Sequence, residues 1–328
     1  MSEILIDPTS SLDAELRPGA GTGSDLPVLT SHVTLKRVIM LVNPLSGGVG
    51  AEAAADAAAI LADYACESSI VELDQNNFDT EVDAAVAEAP DLLIVLAGDG
   101  TAGTIASRAG PDGPLVAPLP GGTMNMLPKA LYDTADWKAA LRLALEQGTV
   151  RNIAGGEISD TDGCHTFYCA AILGSAALWA PAREAVRTGR LKLAWVYGRR
   201  ALRRAFSGRL RYVLDGVAGH QTEALVLISP TISRAVGETD GLEAAAMNPA
   251  DAGQAIRLAA HALFNGWRQD PSVRTTATHC ASVRSRSRIP AVIDGEPTLL
   301  RHEANIRFIP RAFRALAPTL PAVAGDTA

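Results

Sequence analysis

Short apolar runs alternate with amphipathic segments through the first half of the chain. Four of the runs predict buried strands of a parallel sheet, at residues 37–42, 69–73, 92–96 and around Val116. Helices are predicted between and after them, over about 51–64, 80–89, the residues after Thr101, and 136–147. Strands that alternate with helices of about 10–15 residues indicate βαβ units, and therefore an α/β domain.

The pattern changes from about Val150 onward. Short strand-like runs separated by turn residues take over, which favours an antiparallel second domain with inserted helices. The predicted strands cover residues 167–169, 210–214, 224–228, 242–246, 291–293 and 304–308. We therefore predict an α/β N-terminal domain with a doubly wound, mainly parallel sheet, followed by a β-rich domain.

Composition narrows the class of protein. The chain has 328 residues, 48% hydrophobic and 20% charged, as in an ordinary soluble globular protein of two domains. Its net charge of −7 argues against a general nucleic-acid binder. No uncharged apolar run reaches the roughly 18 residues of a membrane-spanning helix, and Met1–Asp7 lacks the features of a secretory signal. The four cysteines show neither metal-ligand nor disulfide spacing, which predicts reduced thiols in the cytoplasm.

Glycine-rich turns follow three of the predicted strands. Asn43–Gly48 follows the first strand, Gly98–Thr101 follows the run 92–96, and Pro120–Asn125 follows the run 115–119. Open α/β sheets bind ligands at the carboxyl ends of their strands, and glycines let backbone N–H groups approach a phosphate. No Lys-Ser or Lys-Thr follows the glycines at P-loop spacing. Each turn taken singly is also what a plain strand-to-helix connection would look like.

A remote acidic pair adds a second element of chemistry. Asp294-Gly295-Glu296 follows an apolar run, so both carboxylates lie at a strand end on a tight turn. Phosphate-type turns together with a distant acidic pair suggest a phosphotransferase, although Asp-Gly is also a common β-turn pair. The six histidines do not cluster, and no nucleophile elbow or His-Glu-x-x-His motif is present.

In this order, the four segments resemble the diacylglycerol kinase catalytic family. That family includes bacterial lipid kinases and sphingosine kinases and is distantly related to NAD kinases. The likeness runs from about Val38 to about Pro318. It implies a β-sandwich as the C-terminal domain. The chain then divides into a flexible leader (1–35), a nucleotide-binding α/β domain (36–150), a β-rich acceptor-binding domain (151–303), a C-terminal strand returning to the first domain (304–320) and a flexible tail (321–328).

The resemblance implies that the three glycine-rich turns bind ATP. The implied nucleotide-binding residues are Asn43, Ser46, Gly47, Gly98, Asp99, Gly100, Thr101, Gly122, Thr123 and Asn125. Among these, we expect Asn125 to brace its turn, because its side-chain amide offers a donor and an acceptor.

The resemblance also implies catalytic and metal-binding residues. It makes Glu296 the proton acceptor, with Asp294 supporting it or binding the metal–phosphate assembly, while related sphingosine kinases make Asp99 a rival for the base role. It further implies a Mg²⁺ site formed by Asp240 and the backbone carbonyls of Gly237 and Leu242. Oxygen-only ligands suit Mg²⁺, although this segment also reads as a hairpin turn.

Three positions depart from the family pattern. Ala97 replaces the first glycine of the usual Gly-Gly-Asp-Gly-Thr, and Gly103-Thr104 replaces an Asn-Glu pair. The segment Ser229–Val236 lacks the glycines that usually follow its strand. These departures bear on nucleotide geometry and on the choice of acceptor.

A basic segment suggests a membrane partner. Residues 183–211 contain ten Lys or Arg and one acid, Glu184, and resemble a basic amphipathic helix. Such a helix can bind an anionic membrane surface, or it can be a solvated face over the second domain. We expect a cytoplasmic protein that acts on a lipid substrate and binds peripherally at the inner face of the membrane. We expect no nucleic-acid partner, and the sequence neither predicts nor excludes a homodimer.

The leading hypothesis is an ATP- and Mg²⁺-dependent kinase that phosphorylates a lipid hydroxyl, of the diacylglycerol or sphingoid-base type. One alternative is a soluble-substrate kinase related to NAD kinase, which the Gly98–Thr101 turn also suits. Another is a catalytically weak nucleotide- or lipid-binding protein, which the three departures would suit.

Overall fold

The computed structural model describes residues 33–179, 209–233, 236–237, 240–247 and 273–319. Several predicted features therefore lie outside the described residues, wholly or in most of their length. They are the leader up to residue 32, residues 183–208 of the basic segment, and the tail.

Strands outnumber helices in the described chain. The strands are β1 (Arg37–Val42), β2 (Glu67–Glu72), β3 (Leu92–Ala97), β4 (Leu115–Pro120), β5 (Gly148–Ser159), β6 (Cys164–Phe167), β7 (Ala170–Gly174), β8 (Arg211–Leu214), β9 (Val217–Ala218), β10 (Ala224–Ile228), β11 (Leu242–Met247), β12 (Val273–Thr278), β13 (Cys280–Arg284), β14 (Ile289–Ile293), β15 (Glu296–Leu300) and β16 (Glu303–Pro318). The helices are α1 (Ala53–Leu61), α2 (Phe78–Ala87), α3 (Asp99–Ala109), α4 (Met126–Tyr132), α5 (Trp137–Gln147) and α6 (Pro230–Ser233), with a 3₁₀ helix over Ser175–Trp179.

The N-terminal region is built on a parallel sheet in the order β2-β1-β3-β4. Every residue of β3 and β4 is buried. Strands covered on both faces need apolar residues at every position, which is why these runs are continuous rather than alternating. Because the strands are parallel, their carboxyl ends meet along one edge of the sheet.

The long strand β16 connects the two halves of the molecule. It runs parallel to β4 at Ala315 and antiparallel to β5 over most of its length, with an irregular register between Ile309 and Phe313. Phe313, Ala315, Leu316 and Ala317 are fully buried in the N-terminal core. The sheet therefore continues from the α/β region into strands β5, β6, β13, β8 and β9.

A second sheet is antiparallel and has the order β12-β11-β10-β7-β14-β15. Its inner face and the extended part of the first sheet enclose a second apolar core, to which Ile158, Phe167, Leu173, Leu227 and Ile306 contribute. The predicted fold class is confirmed: a mainly parallel α/β region is joined to an antiparallel β-rich region.

One predicted strand, 167–169, is wrong. β6 ends at Phe167 and β7 begins at Ala170, so Tyr168 and Cys169 lie where the chain passes from the first sheet to the second. The carboxylate of Asp294 accepts hydrogen bonds from the N–H groups of both residues. The Asp294 side chain thus satisfies the N–H groups that a neighbouring strand would otherwise bind.

Candidate functional site

The three glycine-rich turns meet at the carboxyl edge of the parallel sheet. The N–H of Gly98 donates to Ser46 Oγ at 3.1 Å, and the Asn43 side-chain amide donates to Thr101 Oγ1 at 3.3 Å. The N–H of Gly48 donates to the carbonyl of Gly121 at 2.9 Å. Residues far apart in sequence are therefore joined in one cluster, as the topology of parallel strands requires.

The backbones in this cluster touch so closely that side chains would not fit between them. A Cβ on Gly122 would lie 2.6 Å from the Cα of Gly98, and one on Gly121 would lie 2.7 Å from the amide nitrogen of Ala97. Thr123 lies beside the first turn, since a Cβ on Gly47 would stand 3.8 Å from its Oγ1. The glycines at 121 and 122 are therefore required by close packing of backbone on backbone.

Asn125 braces the third turn in the way its side chain predicts. Its Oδ1 accepts from the N–H of Gly122 at 2.7 Å, and its Nδ2 donates to the Gly122 carbonyl at 2.9 Å. The residue is buried and has a φ of 50°, in the left-handed region that Asn tolerates better than most residues. The turn geometry is thus fixed by one side chain.

Asp99 is the first residue of α3 rather than part of a preceding loop. Its carboxylate accepts from the N–H groups of Met126 and Leu127, at 3.2 and 3.4 Å, which begin helix α4. Burial raises the pKa of this carboxyl group, and the N–H groups at the start of α4 partly oppose that rise. Asp99 therefore ties the start of α3 to the start of α4.

Asp294 has its carboxylate turned toward the crossing between the two sheets. It accepts from the N–H groups of Tyr168, Cys169 and Ala170 at 2.7 to 2.9 Å, and its own φ is 45°. Burial raises the pKa of Asp294, the three N–H groups lower it, and the negative charge of Asp99 raises it again. The two aspartates are therefore close enough to interact electrostatically.

Glu296 lies on the other side of the same turn and is exposed. Its Oε1 would be 2.5 Å from a Cβ on Gly100, so the carboxylate lies directly against the first turn of α3. The middle of the acidic turn meets the third glycine-rich turn, because a Cβ on Gly295 would stand 3.5 Å from the Sδ of Met124. The structure thus brings the remote acidic pair to the glycine-rich cluster.

The residues predicted to hold Mg²⁺ form a small turn. The N–H of Gly237 donates to Asp240 Oδ2, and the N–H of Asp240 donates to the Gly237 carbonyl, each at 3.0 Å. Leu242 begins strand β11 and is buried. In the described part of the chain, no group of three or more His, Cys, Asp or Glu side chains is placed to hold a metal ion. This metal site stays a prediction.

Two of the departures from the family pattern, Ala97 and Gly103-Thr104, are accommodated locally. Ala97 is the last residue of β3 and is buried. The Thr104 hydroxyl donates to the carbonyl of Gly100 one helical turn earlier, at 3.1 Å. Gly103 faces the ring of Tyr168, which would lie 3.6 Å from a Cβ at that position. Sequence reasoning missed Tyr168, because an aromatic residue in an apolar run is read as ordinary core.

The assembled site can bind an anion and accept a proton nearby. The first N–H groups of the eleven-residue helix α3 have no acceptor within the helix and favour negative charge, and the glycines allow close approach. Glu296 supplies an exposed carboxylate beside that helix start.

No helix in the described ranges is both long and apolar enough to cross a membrane.

Comparison with known proteins agrees with the motifs. Residues 37–158 match the model of the family described as the diacylglycerol kinase catalytic domain, which confirms the predicted family resemblance. No curated protein matches the chain.

Solved structures with the same fold come from Bacillus anthracis strain Sterne. One, of a protein provisionally described as a diacylglycerol kinase, has a TM-score of 0.66 at 16% identity and covers 89% of this chain and 99% of its own. Another, the crystal structure of a diacylglycerol kinase, has a TM-score of 0.61 at 14% identity, with the same coverage of 89% and 99%. At these identities the likeness shows the fold alone, and the resemblance to the diacylglycerol kinase catalytic family rests on the match at residues 37–158.

Proposed function

We propose that this protein is an ATP- and Mg²⁺-dependent kinase that transfers the γ-phosphate to the hydroxyl of a lipid of the diacylglycerol or sphingoid-base type. The contact of Glu296 with Gly100 carries the proposal. It sets an exposed carboxylate against a glycine-rich helix start, although 196 positions separate the two residues in the sequence. Phosphoryl transfer needs such a pairing of a phosphate-binding turn with a proton acceptor.

ATP fits the chemistry of the glycine-rich cluster. Its phosphates would lie on the N–H groups at the start of α3, with the hydroxyls of Thr101 and Thr123 and the loop at Ser46 and Gly47 around them. Asp240 and the carbonyls of Gly237 and Leu242 offer the oxygen ligands that suit Mg²⁺. When bound, Mg²⁺ neutralises phosphate charge.

The surroundings of the three acids favour Glu296 as the base. Asp294 accepts three backbone N–H groups and Asp99 accepts two, so both carboxylates already stabilise the backbone around them. Glu296 is exposed beside the helix start, where a lipid hydroxyl can reach it. In this proposal Glu296 takes the hydroxyl proton, and the two aspartates hold the turns in position.

A lipid acceptor is favoured by the family match and by the basic sequence of residues 183–211. A kinase for membrane lipids must reach an anionic surface, and a basic amphipathic segment serves that purpose. We propose that the protein binds peripherally at the inner face of the membrane through this segment. Sedimentation with anionic liposomes, which should weaken when Arg199, Arg200, Arg203 and Arg204 are replaced by Ala, tests this contact.

The function is tested by transfer of labelled γ-phosphate from Mg-ATP. Three acceptors are compared: diacylglycerol in mixed micelles, sphingosine in mixed micelles, and NAD in solution. A labelled lipid that requires Mg²⁺ is the expected result. Labelled NADP would favour the soluble-substrate kinase instead. Binding of ATP without transfer to any of the three would favour a binding protein.

A further inference from the structure

Tyr168 connects two elements of the site that belong to different sheets. It lies between β6 and β7 and is only 3% exposed. Its backbone N–H donates to Asp294 Oδ2 at 2.7 Å, and its hydroxyl lies 2.6 Å from the Oγ of Ser107 on helix α3. Tyr168 is thus bonded to Asp294 of the acidic turn through its backbone and to Ser107 of helix α3 through its side chain.

The ring of Tyr168 has little room to move. One edge faces Gly103 of α3, with a Cβ there 3.6 Å from Cδ2 and Cε2, and the other faces Gly155 of β5, with a Cβ there 3.1 Å from Cδ1. The Phe313 ring meets it edge-on, with centroids 5.1 Å apart. Two glycines therefore form a slot that holds the ring, and the ring orients the hydroxyl toward Ser107.

Helix α3 transmits this contact to the site. Asp99, Gly103 and Ser107 are spaced four residues apart, so they lie along one face of the helix. The Tyr168 ring packs against the middle of that face and its hydroxyl bonds to the far end, while Asp99 and Gly100 form the near end. Contact at two points along one face fixes the rotation of the helix about its axis.

We propose that Tyr168 is a positioning residue that holds the Gly98–Thr101 turn in register with the Asp294–Glu296 turn. It touches neither reacting group. It sets the distance between them, because its hydroxyl fixes α3 and its amide fixes Asp294, two residues before Glu296. The positioning role itself does not require turnover; only its consequence for catalysis rests on the proposed function.

The test uses Tyr168→Phe, which removes the hydroxyl but keeps the ring and the backbone amide. Ser107→Ala removes the partner of the same bond, and the double variant completes a cycle. Tyr132→Phe is the matched control: Tyr132 is buried, and its hydroxyl donates to the Leu316 carbonyl at 2.8 Å, away from the acidic turn. It controls for the loss of one buried tyrosine hydrogen bond.

The first readout is amide hydrogen exchange of the ligand-free protein. Tyr168→Phe should speed exchange about fivefold, the value of one net hydrogen bond, in peptides covering 99–107 and also in those covering 168–170. Ser107→Ala should do the same, and the double variant should add nothing further. Tyr132→Phe should leave both regions unchanged. Unchanged exchange at 168–170 in Tyr168→Phe, or equal changes in Tyr132→Phe, would overturn the positioning role.

The second readout separates kcat from KM in the transfer assay with diacylglycerol micelles. Tyr168→Phe should lower kcat about fivefold with the KM for Mg-ATP unchanged, because alignment is lost while the glycine turns stay intact. Tyr132→Phe should keep the wild-type kcat. An unchanged kcat in Tyr168→Phe overturns the catalytic consequence. If the wild-type protein transfers no phosphate, the proposed function fails, and hydrogen exchange still decides the positioning role.

Discussion

Asp294 and Glu296 are two residues apart on one turn, yet their carboxylates have opposite surroundings. The Asp294 carboxylate accepts three backbone N–H groups at the crossing between the sheets, whereas Glu296 is exposed and lies against Gly100. The positive φ of Asp294 and of Gly295, 45° and 92°, allows the chain to turn between them. One short motif therefore provides one carboxylate that is bonded to the backbone and one that is exposed beside helix α3.

Glu296→Gln should abolish most transfer without weakening the fold. The amide keeps the shape of the side chain but cannot accept the hydroxyl proton, so kcat should fall by at least about 100-fold. The free energy of unfolding in urea should match that of the wild type, because Glu296 is exposed. An active Glu296→Gln protein would move the base role to Asp99.

Asp294→Asn, unlike Glu296→Gln, should lower the free energy of unfolding. An amide offers one acceptor oxygen and turns an NH₂ group toward backbone donors, so we expect a loss of about 1–3 kcal/mol in the free energy of unfolding. Urea unfolding measures it. A variant as stable as the wild type but inactive would show that Asp294 acts in the chemistry rather than in holding the turn.

Gly100→Ala should separate stability from activity. Alanine is favoured over glycine in a helix by about 0.5–1 kcal/mol, so the fold should become no less stable. The new Cβ would stand 2.5 Å from Glu296 Oε1, and the side chain of Glu296 must move away. We expect kcat to fall about tenfold or more, as misplaced catalytic groups do.

The matched control for this substitution is Gly50→Ala, because a Cβ there meets no atom within 4 Å. It should leave kcat unchanged. A Gly100→Ala protein with the wild-type kcat would show that the position of Glu296 beside α3 is not needed for transfer.

Much of the α/β region could be predicted from sequence because its signals are local. β3 and β4 are apolar throughout, and β1 is apolar after Arg37, since parallel strands are covered on both faces. Each of the three is followed by a glycine-rich turn. The meeting of Glu296 with Gly100 depends on the path of the whole chain between them. The combination of phosphate-type turns with an acidic pair, and the family resemblance, indicate that these segments act together, but no local pattern predicts their contact.

Strand β5 shows why the second half was harder to predict. The sequence pattern predicts no strand over residues 148–159, yet Gly155 and Gly156 lie in a twelve-residue strand. A Cβ on Gly156 would collide with the ring of Phe167, and one on Gly155 would crowd the ring of Tyr168. The glycines are present because aromatic rings from the adjoining segment pack on the strand, which a local pattern cannot reveal.

Asn125 should tolerate glycine better than alanine. Either substitution removes the two hydrogen bonds to Gly122, but alanine also suffers at a φ of 50°. The left-handed conformation costs a residue with a Cβ about 1–2 kcal/mol, so Asn125→Ala should be less stable than Asn125→Gly by about that amount. Urea unfolding of the two variants makes the comparison. Equal stabilities would mean that the turn relaxes out of this conformation.

The half-buried residues Asp99 and Asp294 should lower the free energy of unfolding as the pH rises. Burial raises the pKa of Asp99 above its ordinary value of 3.8, so the folded protein holds this proton more tightly than the unfolded chain. Asp99 therefore stabilises the fold most below that ordinary value, and its contribution is lost as the pH rises through the folded pKa. Asp294 acts in the same sense, again chiefly through burial.

Asp99→Asn should remove the part of this pH dependence that Asp99 contributes, because asparagine does not titrate. The free energy of unfolding in urea, measured from about pH 3 to about pH 7, should shift in favour of the variant as the pH rises above 3.8. Asp91→Asn is a control for which the pH dependence of stability should have the opposite sign. Hydrogen bonds from the N–H groups of Arg37 and Lys36 lower the pKa of Asp91, so its stabilising effect is present above 3.8 and is lost only as the pH falls below that value. If the difference in the free energy of unfolding between Asp99→Asn and wild type stays constant with pH, the pKa of Asp99 is not raised in the folded protein.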